Sequence, residues 1–156
     1  MKLILDACCG CRMFWFNKNH PSVLFQDIRR EEHILCDGRK LMVNPDIIAD
    51  FRSMPHKDCS FHLVVFDPPH IKGAGKNGWL AKKYGVLGDD WRDVLASGFR
   101  ECMRVLKPNG TLIFKWNEES IKVSDVIKAI GQEPLFGHKT LQSSKTIWMA
   151  FMKEIK

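Results

Sequence analysis

The stretch Phe61-His62-Leu63-Val64-Val65-Phe66-Asp67-Pro68-Pro69-His70 limits the possible folds more than any other part of the chain. A short apolar run with paired valines, ended abruptly by a charge and two prolines, reads as a buried strand of a parallel sheet. Consecutive prolines have no N–H to give to a ladder, so the chain must leave the sheet at Asp67. The strand's carboxyl end then carries a carboxylate, rigid backbone carbonyls and an imidazole. In open α/β sheets that edge is where ligands bind.

Asp67-Pro68-Pro69-His70 resembles the (Asp/Asn/Ser)-Pro-Pro-(aromatic) motif of the amino-methyltransferases. These S-adenosylmethionine enzymes methylate exocyclic nitrogens of nucleic-acid bases or the amide nitrogen of a protein glutamine. An exocyclic amine is a poor nucleophile, because its lone pair is delocalised into the ring. The resemblance implies that Asp67 and the Pro68 carbonyl accept its N–H bonds, localise the lone pair and aim it. Pro69 stiffens the turn. The fourth position normally stacks on the target base. Here it is His70, which stacks less strongly but can also hydrogen-bond and titrate.

The same resemblance, to class I S-adenosylmethionine-dependent methyltransferases, runs along nearly the whole chain. Lys2 to Leu5 reads as a first strand, followed by Asp6-Ala7-Cys8-Cys9-Gly10. That run resembles the cofactor loop (Asp/Glu)-x-x-x-Gly-x-Gly, with Arg12 in place of the second glycine. Val23 to Asp27 reads as a second strand. Its terminal Asp27, about 20 positions after Asp6, suits a nucleoside cofactor's ribose hydroxyls, with Ile28 beside it. Asp46 to Phe51 reads as a third strand, and Asp50 and Phe51 match the position that meets the adenine. Arg104 to Leu112, with Lys107-Pro108-Asn109-Gly110 at its centre, resembles the helix-to-strand junction of the superfamily. The expected cofactor is S-adenosylmethionine. It would be held by Asp6, Ala7, Cys8, Cys9, Gly10, Asp27, Ile28, Asp50, Phe51 and Asp67. The expected fold is α/β: a Rossmann-like, mostly parallel sheet with an antiparallel last strand and helices on both faces. The expected organisation is one methyltransferase domain over 1–156 with no target-recognition domain, like small stand-alone enzymes carried by phages.

Other segments read locally. Cys11 to Lys18 is predicted to be a short helix stopped before His20-Pro21. Asp37-Gly38 between partly apolar runs predicts a hairpin where relatives usually have a helix, bringing Arg29, Arg30, Arg39 and Lys40 to one surface. Asp89 to Leu106 has the clearest helical periodicity, with Trp91, Leu95, Phe99, Cys102 and Leu106 recurring on one face. A further helix over Ser124–Ile130 is expected to use Ser124 as N-cap and Gly131 as stop. Glu133–Lys139 and Thr146–Lys153 read as an antiparallel final pair. Between Ile71 and Asp90, glycines alternate with Lys72, Lys76, Lys82, Lys83, Trp79 and Tyr84. That segment reads equally as a nucleic-acid-contacting flap or a solvated loop.

A net charge of +6 suits a polyanionic partner, so nucleic acid is expected, DNA slightly ahead of RNA by analogy. Methylation of a protein glutamine or a small-molecule amine, and a non-catalytic nucleic-acid-binding module, are the alternatives. No apolar run is long enough to span a bilayer and no signal-peptide pattern is present, so the chain reads as cytoplasmic. The six cysteines then read as reduced thiols. Cys8-Cys9-Gly10-Cys11 lacks a second cluster at zinc-like spacing, and small buried side chains in a tight turn are the preferred reading over a metal site.

Overall fold

The structure is a computed structural model and describes residues 1–34, 37–73, 85–139 and 143–154. Seven strands form one sheet: β1 (Ile4–Asp6), β2 (Val23–Asp27), β5 (Ile47–Ile48), β6 (Phe61–Phe66), β7 (Leu106–Asn117), β8 (Phe136–Lys139) and β9 (Thr146–Met152). Their spatial order is β5-β2-β1-β6-β7-β9-β8. The first five in that order are parallel, β9 runs antiparallel between β7 and β8, and β8 is the edge. This is the expected Rossmann-like methyltransferase sheet, with the last strand inserted.

The chain steps outward from β1 to β2 and β5, then returns to build the other half from β6. The order therefore reverses between β1 and β6, and ligands of open α/β sheets bind at such a reversal. Asp6 ends β1 and Asp67 follows β6, so both carboxylates sit at that point.

Successive side chains of a strand face opposite ways, and each face here has its own cluster. Leu24 of β2 joins the larger cluster, whereas Val23 and Phe25 join a smaller one with Cys9, Ile4 and Trp15. The larger cluster takes Phe66 from β6 and Phe114 and Trp116 from β7. It also takes Leu95, Phe99 and Cys102 from helix α1 (Trp91–Val105) and Val126 from α2 (Val123–Ile130). Gly98 lets α1 lie close: a Cβ there would stand 2.5 Å from the Phe51 ring and 2.9 Å from the Phe66 ring.

The Asp37-Gly38 hairpin is present. β3 (Glu31–Ile34) pairs antiparallel with β4 (Lys40–Val43) as a separate two-stranded sheet. The bonds found for its basic residues are local: Arg30 bonds the Pro45 carbonyl, Arg39 pairs with Asp37, and Lys40 pairs with Glu32.

Local expectations fail in four places. Residues 11–18 form turns rather than a helix. Arg12 there has φ 54, outside the helical region, and Trp15 turns inward to donate to Asp6 at 2.7 Å. The third strand shrinks from the expected Asp46–Phe51 to Ile47–Ile48. The Lys107–Gly110 junction is no loop: α1 passes straight into β7 at Leu106, with Asn109 at φ 61 and a register irregularity opposite Phe61–Leu63. The Lys153 ammonium accompanies this passage by donating to the Arg104 and Leu106 carbonyls, which the ending helix leaves without an intrahelical partner. Finally, α2 starts one residue before Ser124, with Lys122 as N-cap in extended conformation. Gly131 does stop α2, in the left-handed conformation at φ 71. No described helix is long and apolar enough to cross a membrane.

Candidate active site

A cleft of about 280 Å³ opens over the carboxyl ends of β1, β2 and β6. The chain after β1 gives its floor (Cys8, Cys9, Gly10) and one wall (Cys11, Met13, Phe14). The end of β2 contributes Asp27, Ile28 and Arg29, and Phe51 closes that side. The opposite wall is Asp67, Pro68, Pro69 and His70, with Gly85 and Val86 above. The two motifs read from the sequence therefore meet in one cavity.

Gly10 adopts φ 49 and a Cβ on it would touch nothing within 4 Å, so the loop turns beneath open space. Its N–H donates to Asp27 Oδ2 at 2.8 Å, while Asp27 Oδ1 accepts from the backbone and side chain of Arg29. Asp27 thus ties two loops together; Oδ1 accepts two bonds, while Oδ2 accepts one and keeps a lone pair beyond it. Ile28 beside it is 56% exposed, an apolar face presented outward at the cleft.

Asp6 and Ala7 lie beneath this floor. Asp6 is fully buried and accepts from the Trp15 indole at 2.7 Å and, more weakly, from the Cys8 N–H at 3.4 Å. Asp50 does not line the cleft and is gripped by Arg52 through both carboxylate oxygens, which holds its carboxyl below the usual range. Of the adjacent pair Asp50 and Phe51, only Phe51 lines the cleft.

Burial pushes the Asp6 carboxyl up to about 7; the Trp15 bond counters this, and nearby Asp67 adds to it. Because the folded value lies above the unfolded one, the native state binds the extra proton between them. Stability on this account is highest below pH 3.8 and is lost progressively as pH rises through about 7. We expect Asp6→Asn to reduce the loss of stability between pH 5 and pH 8 by on the order of 2 kcal/mol. Urea midpoints of the two proteins at both pH values test this; parallel losses would contradict it.

Asp67 is bonded to a residue with no assigned role in the sequence reading. Lys115, on β7, donates to Asp67 Oδ2 at 2.6 Å. Both side chains are largely withdrawn from solvent, at 18% for Asp67 and 19% for Lys115. Burial raises the Asp67 carboxyl and Lys115 opposes that rise. His70 follows on the same turn, with its ring edge-on to Trp116 at 6.3 Å between centroids. Burial lowers the imidazole below its usual range, the Asp67 charge pulls it back up, and Lys115 pushes it down. His70 is therefore neutral at neutral pH. Lys115 could have been noticed as the one cation in the strand Thr111-Leu112-Ile113-Phe114-Lys115-Trp116, but its partner required the sheet order. Phe14 likewise lines the cleft from a segment expected to be a helix.

Burial also raises the Cys8 and Cys9 thiols, so both stay protonated at neutral pH. Among the described residues no group of His, Cys, Asp or Glu is placed to hold a metal ion.

The fold is that of known methyltransferases. A protein from Methanosarcina mazei described as a SAM-dependent methyltransferase aligns with TM-score 0.61 at 10% identity, covering 98% of this chain and 92% of that one. A TehB-like SAM-dependent methyltransferase from Corynebacterium glutamicum aligns with TM-score 0.54 at 14% identity, over 99% and 80%. The antibiotic-resistance methyltransferase Kmr aligns with TM-score 0.52 at 12% identity, over 99% and 87%. No family model matches the chain, and no curated protein does.

The residues present fit S-adenosylmethionine. The open space above Gly10 accommodates a ligand against backbone. Asp27 Oδ2 has acceptor capacity for a ribose hydroxyl, Ile28 and Phe51 offer apolar faces for a purine, and the carboxylates of Asp67 and Asp27 suit a cationic centre.

Proposed function

We propose that this chain is an S-adenosylmethionine-dependent N-methyltransferase, acting as one domain on an exocyclic amine of a nucleic-acid base. The observation that carries this reading is the shared cleft: Asp67, Pro68, Pro69 and His70 face the Gly10 loop, Asp27, Ile28 and Phe51 across one cavity. Gly10, Asp27, Ile28 and Phe51 would hold the cofactor, which supplies an electrophilic methyl on a sulfonium. Asp6 and Ala7 support that loop from below.

The chain's own residues prepare the nucleophile. Asp67 accepts one N–H of the target amine and the Pro68 carbonyl accepts the other, which concentrates the lone pair on nitrogen. Pro69 fixes the turn that aims both. His70, neutral, lies along the base and leaves the amine's charge state to Asp67. A paired base amine is inaccessible, so the target is single-stranded or flipped out of its stack. The net charge of +6 supports a polyanionic substrate. The lysines and aromatics of the flap, Lys76, Trp79, Lys82, Lys83 and Tyr84, lie outside the described residues. The backbone at its two ends is joined, the Leu87 N–H bonding the Ile71 carbonyl at 2.8 Å.

Calorimetric titration with S-adenosylmethionine, followed by transfer of labelled methyl to DNA, RNA and polypeptide, tests the proposal. Binding with label in nucleic acid is the expected result. No binding to the pure protein would overturn the cofactor assignment. Label in polypeptide alone would overturn the base target and establish an amide nitrogen in its place.

A further inference from the structure

The Asp67 carboxylate stands at the reversal point of the sheet, where burial favours its protonated form. A protonated Asp67 has a donor where the proposed chemistry needs an acceptor. The strand beside it answers this. β6 and β7 pair in register with Phe66 opposite Phe114, which brings Lys115, the next residue of β7, alongside Asp67, the next residue after β6. The two meet at 2.6 Å although 48 positions separate them.

The ammonium is also braced from its other sides. Trp148 of β9 is the direct cross-strand partner of Lys115. Its ring centroid lies 5.7 Å from Nζ, and the Phe14 ring centroid lies 5.4 Å away. Phe14 and Trp148 pack edge to face at 5.5 Å. Cation–π attraction therefore holds the ammonium in place on the sides that Asp67 does not cover. Phe14 also lines the cleft, so this brace couples the loop after β1 to the carboxylate after β6.

We propose that Lys115 is a positioning residue: held between Phe14 and Trp148, it keeps Asp67 ionised and ties up Oδ2, leaving Oδ1 to receive the target amine. The proposal rests on the methyltransferase reading for its functional consequence, but not for its physical content. Among the described residues, the charged or titratable groups around Asp67 are Lys115 on β7, His70 on its own turn, and Asp6 and Cys8 at the end of β1. Of these only Lys115 and His70 favour the carboxylate, and His70 is held neutral by burial.

The test compares Lys115→Met, Lys115→Gln and Lys115→Arg with the parent protein, using two readouts. The first is the carbon NMR titration of the Asp67 carboxyl, assigned with Asp67→Asn, which needs neither cofactor nor substrate. Removing an opposite charge at this distance shifts a carboxyl by about 1–3 pH units, so the midpoint is expected to rise by that amount in the Met and Gln variants and to stay near the parent value in Arg. An unchanged midpoint in the Met variant, or in Gln should Met fail to fold, overturns the proposal. The second readout is the pH profile of kcat/KM. Its acidic limb is expected to move up by the same amount in the Met and Gln variants, with a loss of at least about tenfold in kcat at neutral pH and little change in KM. A tenfold loss that is flat with pH would assign Lys115 a purely structural part. Absence of S-adenosylmethionine binding in the parent protein would sink the methyltransferase reading and leave the NMR titration to decide the lysine's role.

Discussion

Asp67→Asn is expected to lower methyl transfer by at least about a hundredfold while S-adenosylmethionine still binds. The amide keeps the volume and one acceptor oxygen but loses the charge that faces the target nitrogen. It also leaves the Lys115 ammonium, 19% exposed, without its ion-pair partner. Asp67 is one of several groups expected at the cofactor, and Gly10, Asp27, Ile28 and Phe51 share no hydrogen bond with its carboxylate, so binding should weaken by the loss of one charge near the sulfonium but survive. Calorimetry on the variant, beside a labelled-methyl assay on the same preparation, separates the two effects. Full transfer by the variant would remove Asp67 from the mechanism; lost binding together with lost transfer would instead make it a cofactor or folding residue.

Phe114→Ala should be strongly damaging although it lies away from the cleft lining. Its ring is fully buried at the centre of the larger cluster, 5.0 Å from the Phe66 centroid, 6.2 Å from Trp116 and 6.4 Å from Phe151. Truncation removes the apolar contact and leaves a cavity among aromatic rings that cannot collapse freely, at a cost of about 3–5 kcal/mol. Domains of this size have about 5–15 kcal/mol in total, so the variant sits near the edge of folding. Phe136→Ala on the edge strand β8 is the control, because that ring is 71% exposed and its loss should change stability by no more than about 0.5 kcal/mol. Denaturant midpoints decide the matter, and similar losses at both positions would contradict this account of the core.

The parts of the fold legible in the sequence were those whose cause is local. A valine-rich run ended by two prolines had to be a buried strand that stops, and it is β6. Asp37-Gly38 had to turn, and β3 and β4 flank it. The face carrying Leu95, Phe99 and Cys102 had to be buried, and it is. What escaped was set by distant partners. The run Met13-Phe14-Trp15-Phe16 has no helical stripe, and its conformation is decided by where each side chain finds a neighbour: Trp15 on Asp6 and Phe25, Phe14 on Trp148, Phe16 in solvent. Ser124 is a fair N-cap by residue type, yet the helix begins one residue earlier, where Glu118 accepts from the Val123 N–H at 3.4 Å. Asp50 precedes Phe51 at the edge of the cleft, and its carboxylate pairs with Arg52, two residues on. Lys115 is the clearest case. The carboxylates nearest to it in sequence, Glu118 and Glu119, pair with Lys139 and Lys145 instead, and the lateral order of β6, β7 and β9 brings Asp67 and the rings to its ammonium.

The two walls of the cleft differ in kind. One follows β6, which is hydrogen-bonded on both sides, to β1 and to β7, in the middle of the sheet. The other is a string of turns over residues 8–19, fastened at a few points by the Trp15 indole and the Arg12 guanidinium, which bonds the carbonyls of Lys18 and Asn44. Amide protons on the two walls therefore belong to different opening events: those of β6 exchange with solvent only when the whole sheet comes apart, whereas those of 8–19 exchange through small local excursions. A ligand settling in the cleft would slow exchange on the turn side alone, so its footprint would be lopsided, written on one wall while the carboxylate it faces stands on a part of the molecule already closed to exchange.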